Sequence, residues 1–343
     1  PETAIRELIG LTDDAPLPPL SIRMGTTQAT NALLERTGAR VLLVTNRGLA
    51  DVLRIGDQAR PELFELEIHK REPLFERTLE VAGRLDANGD EIEALDESGT
   101  REALREARAA GLDAVAILCI HAHVNAAHER QLAQWARDAG FAEVVASHDA
   151  AHVEGMLRRG ETATTDAYLT PGLDASLRAL RQRLALTEDD LLMMQSGGGL
   201  VSAGDFRGRD AILSGPAGGA VALGRISAAL GYEQSIGFDM GGTSTDVCRW
   251  AGEIERRDQC ELAGVRIHVP MLDLHTVAAG GGSICSSAGD RLTVGPQSAG
   301  SSPGPICYGR EEANALTVTD VNLFLGRVVD ARFPFELDAS RLG

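Results

Sequence analysis

The segment from residue 236 to residue 247 combines the residue types that a phosphate-binding turn needs. An apolar strand pattern leads to Asp239, and the glycines Gly241 and Gly242 follow it. Glycine lets the backbone turn so that successive N–H groups point at an anion. Uncharged hydroxyl donors come next, at Thr243, Ser244 and Thr245. An ordinary hairpin with a polar turn would also explain the glycines, but it needs no buried aspartate at the strand end. We therefore predict a hairpin that binds phosphate.

Two carboxylates of this segment could hold a cation or act on water. Asp239 is predicted to lie buried at the end of its strand and to face Mg²⁺, directly or through water, because hard cations prefer carboxylate oxygens. Asp246 directly precedes the second strand pattern, at residues 247–250, and has two interpretations. It could orient water or the metal, or it could simply stabilise the hairpin.

Three further glycine-rich segments could approach a ligand or merely pack. One has three consecutive glycines before a serine, at Gly280, Gly281, Gly282 and Ser283, and it is either a ligand-binding or a flexible loop. Residues 214–219 precede a predicted helix, so they could bind an anion at its N-terminus or allow close packing. Residues 295–305 form a turn-rich loop that shapes a pocket or only connects strands.

Strand and helix patterns alternate in the first half of the chain. Short apolar runs at residues 41–45, 114–120 and 144–146 have the length of buried strands. Amphipathic helices are predicted at residues 101–110 and 129–139, between these runs. This alternation is typical of strand–helix–strand units in an α/β protein with a parallel sheet.

A long helical pattern at residues 162–184 changes the character of the chain. Thr170, Pro171 and Gly172 are expected to interrupt this helix. We place a domain boundary near residue 160, which predicts domains at 1–160 and 161–343.

The composition excludes several classes of partner. The chain has 33 Lys and Arg against 50 Asp and Glu residues, a net charge of −17. Its net field therefore disfavours nucleic acid and anionic membranes. It contains no apolar run of 18 residues for a membrane helix, and no secretory leader pattern at its start. The five cysteines are odd in number and lack CxxC spacing, which favours a reduced, cytoplasmic location.

The order of the motifs resembles the hydantoinase A/5-oxoprolinase family, and most of all its ATP-hydrolysing 5-oxoprolinases. The resemblance begins at Met24, Gly25, Thr26 and Thr27 and covers nearly the whole chain. Its segments are residues 24–36, 55–66, 159–171, 214–219, 236–247, 276–283, 295–305 and 316–320. The family pattern also has an earlier glycine-rich hairpin and continues past residue 343, so we expect this chain to be truncated at both ends.

The resemblance implies a fold and a nucleotide site. The family's ATP-binding half is similar to actin and hexokinase, with two ribonuclease-H-like lobes of mixed, mostly parallel sheets around ATP. The Asp239 hairpin would be the phosphate loop of the second lobe. Gly280, Gly281, Gly282 and Ser283 would line the nucleotide cleft, and Gly25, Thr26 and Thr27 would face it from the other lobe.

The resemblance also implies an activity, which is hydrolysis of the cyclic amide 5-oxo-L-proline to L-glutamate through ATP-dependent phosphorylation of the amide oxygen. ATP and Mg²⁺ would be required, and a hydantoinase B-like half or subunit would be the partner. We also expect a homo-oligomer. Two alternatives stay open: the ATP-using subunit of an N-methylhydantoinase or ketone carboxylase, and a non-catalytic, actin-like nucleotide-binding fragment.

Overall fold

The computed structural model describes residues 2–12, 15–57, 64–67 and 72–342. Residues 58–63, in the motif at 55–66, lie outside these ranges. The contacts divide the chain into two units, Pro1–Gly218 with Arg256–Leu272 and Gly219–Glu255 with Asp273–Gly343. Each unit is described by itself below.

Helices and strands of the described residues alternate along most of the chain. The helices are α1 (Glu2–Leu8), α2 (Gln28–Glu35), α3 (Val52–Ile55), α4 (Glu97–Ala109), α5 (Ala127–Asp138), α6 (Ser147–Ala150), α7 (Met156–Leu184), α8 (Ser214–Ala229) and α9 (Val318–Phe324). The strands are β1 (Ile22–Met24), β2 (Val41–Asn46), β3 (Phe75–Val81), β4 (Arg84–Leu85), β5 (Glu91–Glu93), β6 (Ala114–Leu118), β7 (Glu143–Ala146), β8 (Leu191–Met194), β9 (Leu200–Ser202), β10 (Ser235–Met240), β11 (Thr245–Trp250), β12 (Arg256–Arg257), β13 (Cys260–Leu262), β14 (Val265–Ile267), β15 (Met271–Leu272), β16 (His275–Val277), β17 (Ser283–Ala288) and β18 (Arg291–Ser298).

The first unit is built on a four-stranded sheet in the order β3-β2-β6-β7. Every neighbouring pair in it is parallel. The two central strands, β2 and β6, are buried along their whole length, because helices cover both faces of the sheet. The predicted α/β class with a parallel sheet is confirmed.

Alternate side chains of the central strands enter two separate cores. Leu43 and Ala116 pack in one core with residues of α2 and α7. Leu42 and Val115 pack in the other with residues of α4 and α5. This period of two follows from the pleat of a strand, which sends successive side chains to opposite faces.

The helix α7 runs without a break through Pro171, so the predicted interruption at residues 170–172 is wrong. It is 29 residues long. A proline inside a helix costs about 3 kcal/mol, because it removes one hydrogen bond and crowds the preceding turn. Leu169 and Leu173 on either side of the proline are buried in the α2–α7 core. Burial of these side chains offsets that cost.

Residue 160 lies inside α7, and the division by contacts falls after Gly218 instead. The reason is that α7 shares its core with the preceding parallel sheet. The division into domains at residues 1–160 and 161–343 therefore stays a prediction.

Residues 214–219 belong to a helix rather than to a loop, since α8 begins at Ser214. The turn before α2 packs closely against this helix start. The Thr26 N–H donates to Ser214 Oγ (3.1 Å). A Cβ atom on Gly25 would lie 2.8 Å from the Ser214 carbonyl oxygen and 3.0 Å from Gly215 Cα. Close packing therefore accounts for Gly25 and Gly215.

We expect Gly25→Ala to lower the free energy of unfolding by about 1–3 kcal/mol, as overpacking of a tight interior does. The added methyl group meets backbone atoms, which cannot move aside as a side chain can. Urea unfolding measures the loss. Gly172→Ala is the control, because a Cβ there has nothing within 4 Å. Equal stability of the two variants would contradict the packing argument.

The second unit has a three-stranded antiparallel sheet in the order β10-β11-β16. This unit also contains most of α8, the antiparallel pair β17–β18 and the short helix α9. Within the described part of the chain, no helix combines the length and apolarity that crossing a membrane requires.

Candidate functional site

The segment around Asp239 forms the strand–turn–strand that the sequence predicts. Strands β10 and β11 pair antiparallel, with Met240 opposite Thr245 at the end of the ladder. The Gly241 N–H closes the turn by donating to the Ser244 carbonyl oxygen (2.9 Å). Residues 241–244 therefore form a tight connection at the tip of a two-stranded ribbon.

Three successive backbone donors at this tip, the N–H groups of Gly242, Thr243 and Ser244, have no hydrogen-bond partner among the residues that the structure describes. Gly242 and Thr243 are exposed and Ser244 is half-buried. Consecutive N–H groups at a glycine turn form a concave site for an anion, so the tip can bind a phosphate group.

The loop with three glycines holds this tip from one side. The Gly281 N–H donates to the Gly241 carbonyl oxygen (2.9 Å), and the Gly282 N–H donates to the Gly242 carbonyl oxygen (2.6 Å). A Cβ on Gly280 would lie 2.6 Å from Gly242 C and 2.6 Å from Thr243 N. Only glycine lets the two backbones approach so closely.

Several donors that the sequence predicts to bind a nucleotide instead form hydrogen bonds within the protein. The Gly280 N–H donates to Ser283 Oγ (2.8 Å), and Ser283 is fully buried. The Thr245 hydroxyl is likewise internal, since it donates to the Ala279 carbonyl oxygen (2.6 Å). In this structure these groups shape the turn and are not free for a ligand, whereas Thr243 and Ser244 keep their hydroxyls free of any described protein partner.

Asp239 and Asp246 stand directly opposite each other in the β10–β11 ladder. Opposite residues of an antiparallel pair share one face, with Cβ atoms about 5 Å apart. Asp239 is exposed, so its predicted burial is wrong: among the described strands, β10 lies at the edge of its sheet. Asp246 Oδ1 accepts a hydrogen bond from the Thr276 hydroxyl (2.6 Å).

This carboxylate pair suits one hard cation that keeps most of its water. The described residues contain no group of three or more His, Cys, Asp or Glu side chains placed to hold a metal. Mg²⁺ commonly binds one or two carboxylates, with waters and substrate phosphates as its other ligands. The two carboxylates can hold such an ion, and the N–H donors of the hairpin tip can bind the phosphate that completes its ligands.

Thr319 also holds the triple-glycine loop in place. In the sequence analysis this residue is only part of the family motif at residues 316–320. Its N–H and its hydroxyl both donate to the Gly281 carbonyl oxygen (2.8 Å each). The Ala299 N–H donates to the Gly282 carbonyl oxygen (2.8 Å). Residues 295–298 of the predicted loop belong to β18, and the loop that follows at residues 299–305 contacts the triple-glycine loop, so it does more than join strands.

Asp320 fixes the start of α9, which carries Thr319. It is fully buried, and its carboxylate accepts from the N–H groups of Ile306, Cys307 and Thr317 and from the Thr317 hydroxyl. Burial raises the pKa of Asp320, but these hydrogen bonds outweigh it and hold the pKa below its ordinary value. The spacing of Thr317 and Asp320 is that of a capping box. That spacing was the one sequence signal for this role.

The predicted site residues Gly25, Thr26 and Thr27 belong to the first unit, whereas the hairpin belongs to the second. Thr26 and Thr27 line a cleft of about 800 Å³ there, beside α2 and α7. The Thr26 hydroxyl accepts from the Gln28 N–H (3.1 Å). These contacts account for the residues locally, and their predicted role toward a nucleotide stays a prediction.

Comparisons with known proteins match most of the chain. The hydantoinase/oxoprolinase family model matches residues 159–340, and the model of the family's N-terminal region matches residues 1–140. A 5-oxoprolinase of Saccharomyces cerevisiae is 40% identical over 92% of this chain. The acetophenone carboxylase gamma subunit of Aromatoleum aromaticum is 32% identical over 93% of it. The crystal structure of the ATP-dependent caprolactamase from Pseudomonas jessenii superposes with a TM-score of 0.77, at 30% identity over 99% of this chain.

The chain spans only part of each of these proteins. It covers 27% of the yeast 5-oxoprolinase, 47% of the carboxylase subunit and 51% of the caprolactamase chain. The matched region contains the hairpin, the triple-glycine loop and the start of α9. On the family model and these relatives together, the chain belongs to the hydantoinase/oxoprolinase family.

Proposed function

We propose that the chain provides the phosphate-binding part of an ATP-dependent amide hydrolase that acts on 5-oxo-L-proline. The observation that carries the proposal is the hairpin tip, where three unpartnered N–H donors lie beside the carboxylates of Asp239 and Asp246. The 40% identity with 5-oxoprolinases favours this substrate among those of the family.

The chemistry that such a site supports is activation of an unreactive carbonyl. A five-membered lactam is a poor electrophile. Transfer of the γ-phosphoryl group of ATP to the amide oxygen breaks its bond to ADP, which leaves, and places a phosphate group on the ring carbon. Water adds to that carbon, the carbon–nitrogen bond breaks as the nitrogen takes a proton, and the ring opens to an acyl phosphate. A second water hydrolyses the acyl phosphate to the carboxylate and phosphate. The N–H groups of Gly242, Thr243 and Ser244 would stabilise the charge that spreads over the transferred group.

Asp239 and Asp246 are the residues that would hold Mg²⁺, directly or through water, and the bound ion supplies positive charge beside the phosphates. Thr276 orients the Asp246 carboxylate through its hydroxyl. Ring-opening groups would come from a hydantoinase B-like half or subunit. Homo-oligomer formation and a cytoplasmic location stay predictions.

The proposal is tested by phosphate release from MgATP, with the hydantoinase B-like partner present. We expect 5-oxo-L-proline to stimulate the release, and Asp239→Asn to lower the stimulated rate by about 10²-fold, since a neutral amide holds a cation poorly. Asp290→Asn is the matched control, because Asp290 is an exposed carboxylate in the β17–β18 turn of the same unit.

Two results would contradict the proposal. Stimulation by a hydantoin but not by 5-oxo-L-proline would contradict the proposed substrate, while the proposed ATP-dependent activation would stand. ATP binding without turnover, unchanged in Asp239→Asn, would favour a non-catalytic nucleotide-binding module.

A second candidate is the ATP-using part of a ketone carboxylase. The observation in its favour is the similarity to the acetophenone carboxylase gamma subunit and to an acetone carboxylase structure with a TM-score of 0.73. The same phosphoryl transfer would then activate bicarbonate or the ketone. Phosphate release that requires bicarbonate together with a ketone, and ignores 5-oxo-L-proline, would establish it.

A further inference from the structure

Four arginines converge on a cleft of the first unit that the proposed function does not use. The cleft has a volume of about 330 Å³ and lies between α5, the strand β7 and the turn Gly208–Asp210. The arginines that line it are Arg130, Arg137, Arg207 and Arg209. In a chain with a net charge of −17, such a concentration of cations needs an explanation.

Two of these arginines are held in place by buried carboxylates. Arg207 pairs with Glu143, and its Nε lies 3.5 Å from Asp166 Oδ2. Arg209 Nη1 lies 2.6 Å from the same oxygen of Asp166. Asp166 is fully buried, whereas the side chains of Arg207 and Arg209 are 31% and 22% exposed. The carboxylates therefore orient both guanidinium groups and leave part of each open to the cleft.

The other two arginines lie on the exposed face of α5. Arg130 and Arg137 are seven residues apart, which places them on the same side of a helix, two turns from each other. Among the residues that the structure describes, no carboxylate lies within ion-pair distance of either. Their charges are therefore not neutralised by an ion pair within the described residues.

A histidine at the edge of the cleft is also held in position. His148 Nδ1 lies 2.6 Å from Glu129 Oε2, and Glu129 is completely buried. Asp149 lines the cleft too, and its carboxylate lies 3.3 Å from His148 Nε2. A neighbouring cleft of about 570 Å³ shares Arg130, His148 and Asp149. The two clefts therefore adjoin along these residues.

We propose that this arginine cleft binds a small polyanion with at least two carboxylate or phosphate groups. Guanidinium groups match both kinds of anion through paired N–H donors. Four of them on two walls can hold two anionic groups at once, and the volume is that of a small-molecule site. The proposal does not depend on the hairpin or on the enzymatic activity of the protein.

The test uses citrate and pyrophosphate as separate probes, with acetate as a monoanion, in titration calorimetry at physiological salt without Mg²⁺ or ATP. We expect citrate, pyrophosphate or both to bind more tightly than acetate. In the double variant Arg130→Gln/Arg137→Gln, the affinity for the bound probe should fall by about tenfold or more, because two charge-assisted contacts are lost.

The matched control is Arg105→Gln/Arg225→Gln, which removes the same charge from exposed helix positions outside both clefts. Its affinity should stay within about twofold of the parent, since distant charges are screened by salt. Absence of binding by both probes overturns the proposal. Binding that both double variants weaken equally, or that only a hairpin variant weakens, also overturns it.

Discussion

Replacing Gly280 with alanine should lower the rate of substrate-stimulated phosphate release by about 10²-fold or more. The loss of one positioned donor at a reacting anion has an effect of that size. The new methyl group would lie 2.6 Å from Gly242 C and Thr243 N. Real contacts are never that short, so the tip must shift. The measurement is the stimulated rate at saturating MgATP, with the nucleotide affinity determined alongside.

The shift acts on the free donors themselves. Thr243 N is one of the two nearest atoms to the added methyl, and its N–H is one of the three without a partner among the described residues. Gly172→Ala serves as the control, since its Cβ meets open space in α7. A folded Gly280→Ala protein with the parent's rate and affinity would show that the tip does not bind the phosphates.

Replacing Asp320 with alanine should have the largest effect on stability. Four donors lose their acceptor at once, three of them backbone N–H groups and one the Thr317 hydroxyl. A buried donor without a partner costs about 1–3 kcal/mol, and water entering the cavity satisfies some of them. We expect a loss of about 3–5 kcal/mol in the free energy of unfolding of the protein, measured with urea.

The pH dependence gives this prediction a second readout. Because the pKa of Asp320 is lowered in the folded protein, its stabilising effect is present above its unfolded pKa. That effect disappears as the pH falls through the folded pKa. The stability difference between the parent and Asp320→Ala should therefore shrink in acid. A difference that stays constant down to the acid limit would contradict the assignment.

A variant of Thr319 distinguishes the effect of the triple-glycine loop on activity from an effect on the stability of the protein. Thr319→Val keeps the shape of the side chain and removes the hydroxyl that donates to the Gly281 carbonyl oxygen. We expect the stimulated rate to fall by about fivefold and the free energy of unfolding to fall by no more than about 1 kcal/mol, the usual contribution of one hydrogen bond. Thr319→Ser should restore the rate. Failure of serine to restore it would mean that the hydroxyl is not the group that matters.

Local patterns in the sequence predict much of the fold. The buried runs that became β2 and β6, and the amphipathic helices α4 and α5 between strands, are visible because side-chain periodicity is a property of neighbouring residues. The hairpin at residues 236–247 is predictable for the same reason, since its glycines and hydroxyls lie within one turn. The motif order also indicates the family, which the comparisons confirm.

Distant contacts decide the features that the sequence predicts wrongly or misses. Pro171 continues a helix because side chains beside it are buried in a core built from other elements. Asp239 is exposed because its strand lies at the edge of a sheet. The arginine cleft joins residues of α5 to residues more than 60 positions later. Such pairings depend on how elements pack and leave no local pattern.

The sequence by itself determined that a glycine turn with two carboxylates and several hydroxyls would form between two strands. Only the tertiary structure decided which groups stay free. The N–H groups of residues 281 and 282 and the hydroxyl of Thr245 are used within the protein, while those at the turn's tip are not. The physical reason is that each donor bonds the acceptor nearest in space, and those acceptors lie 34–40 residues away along the chain.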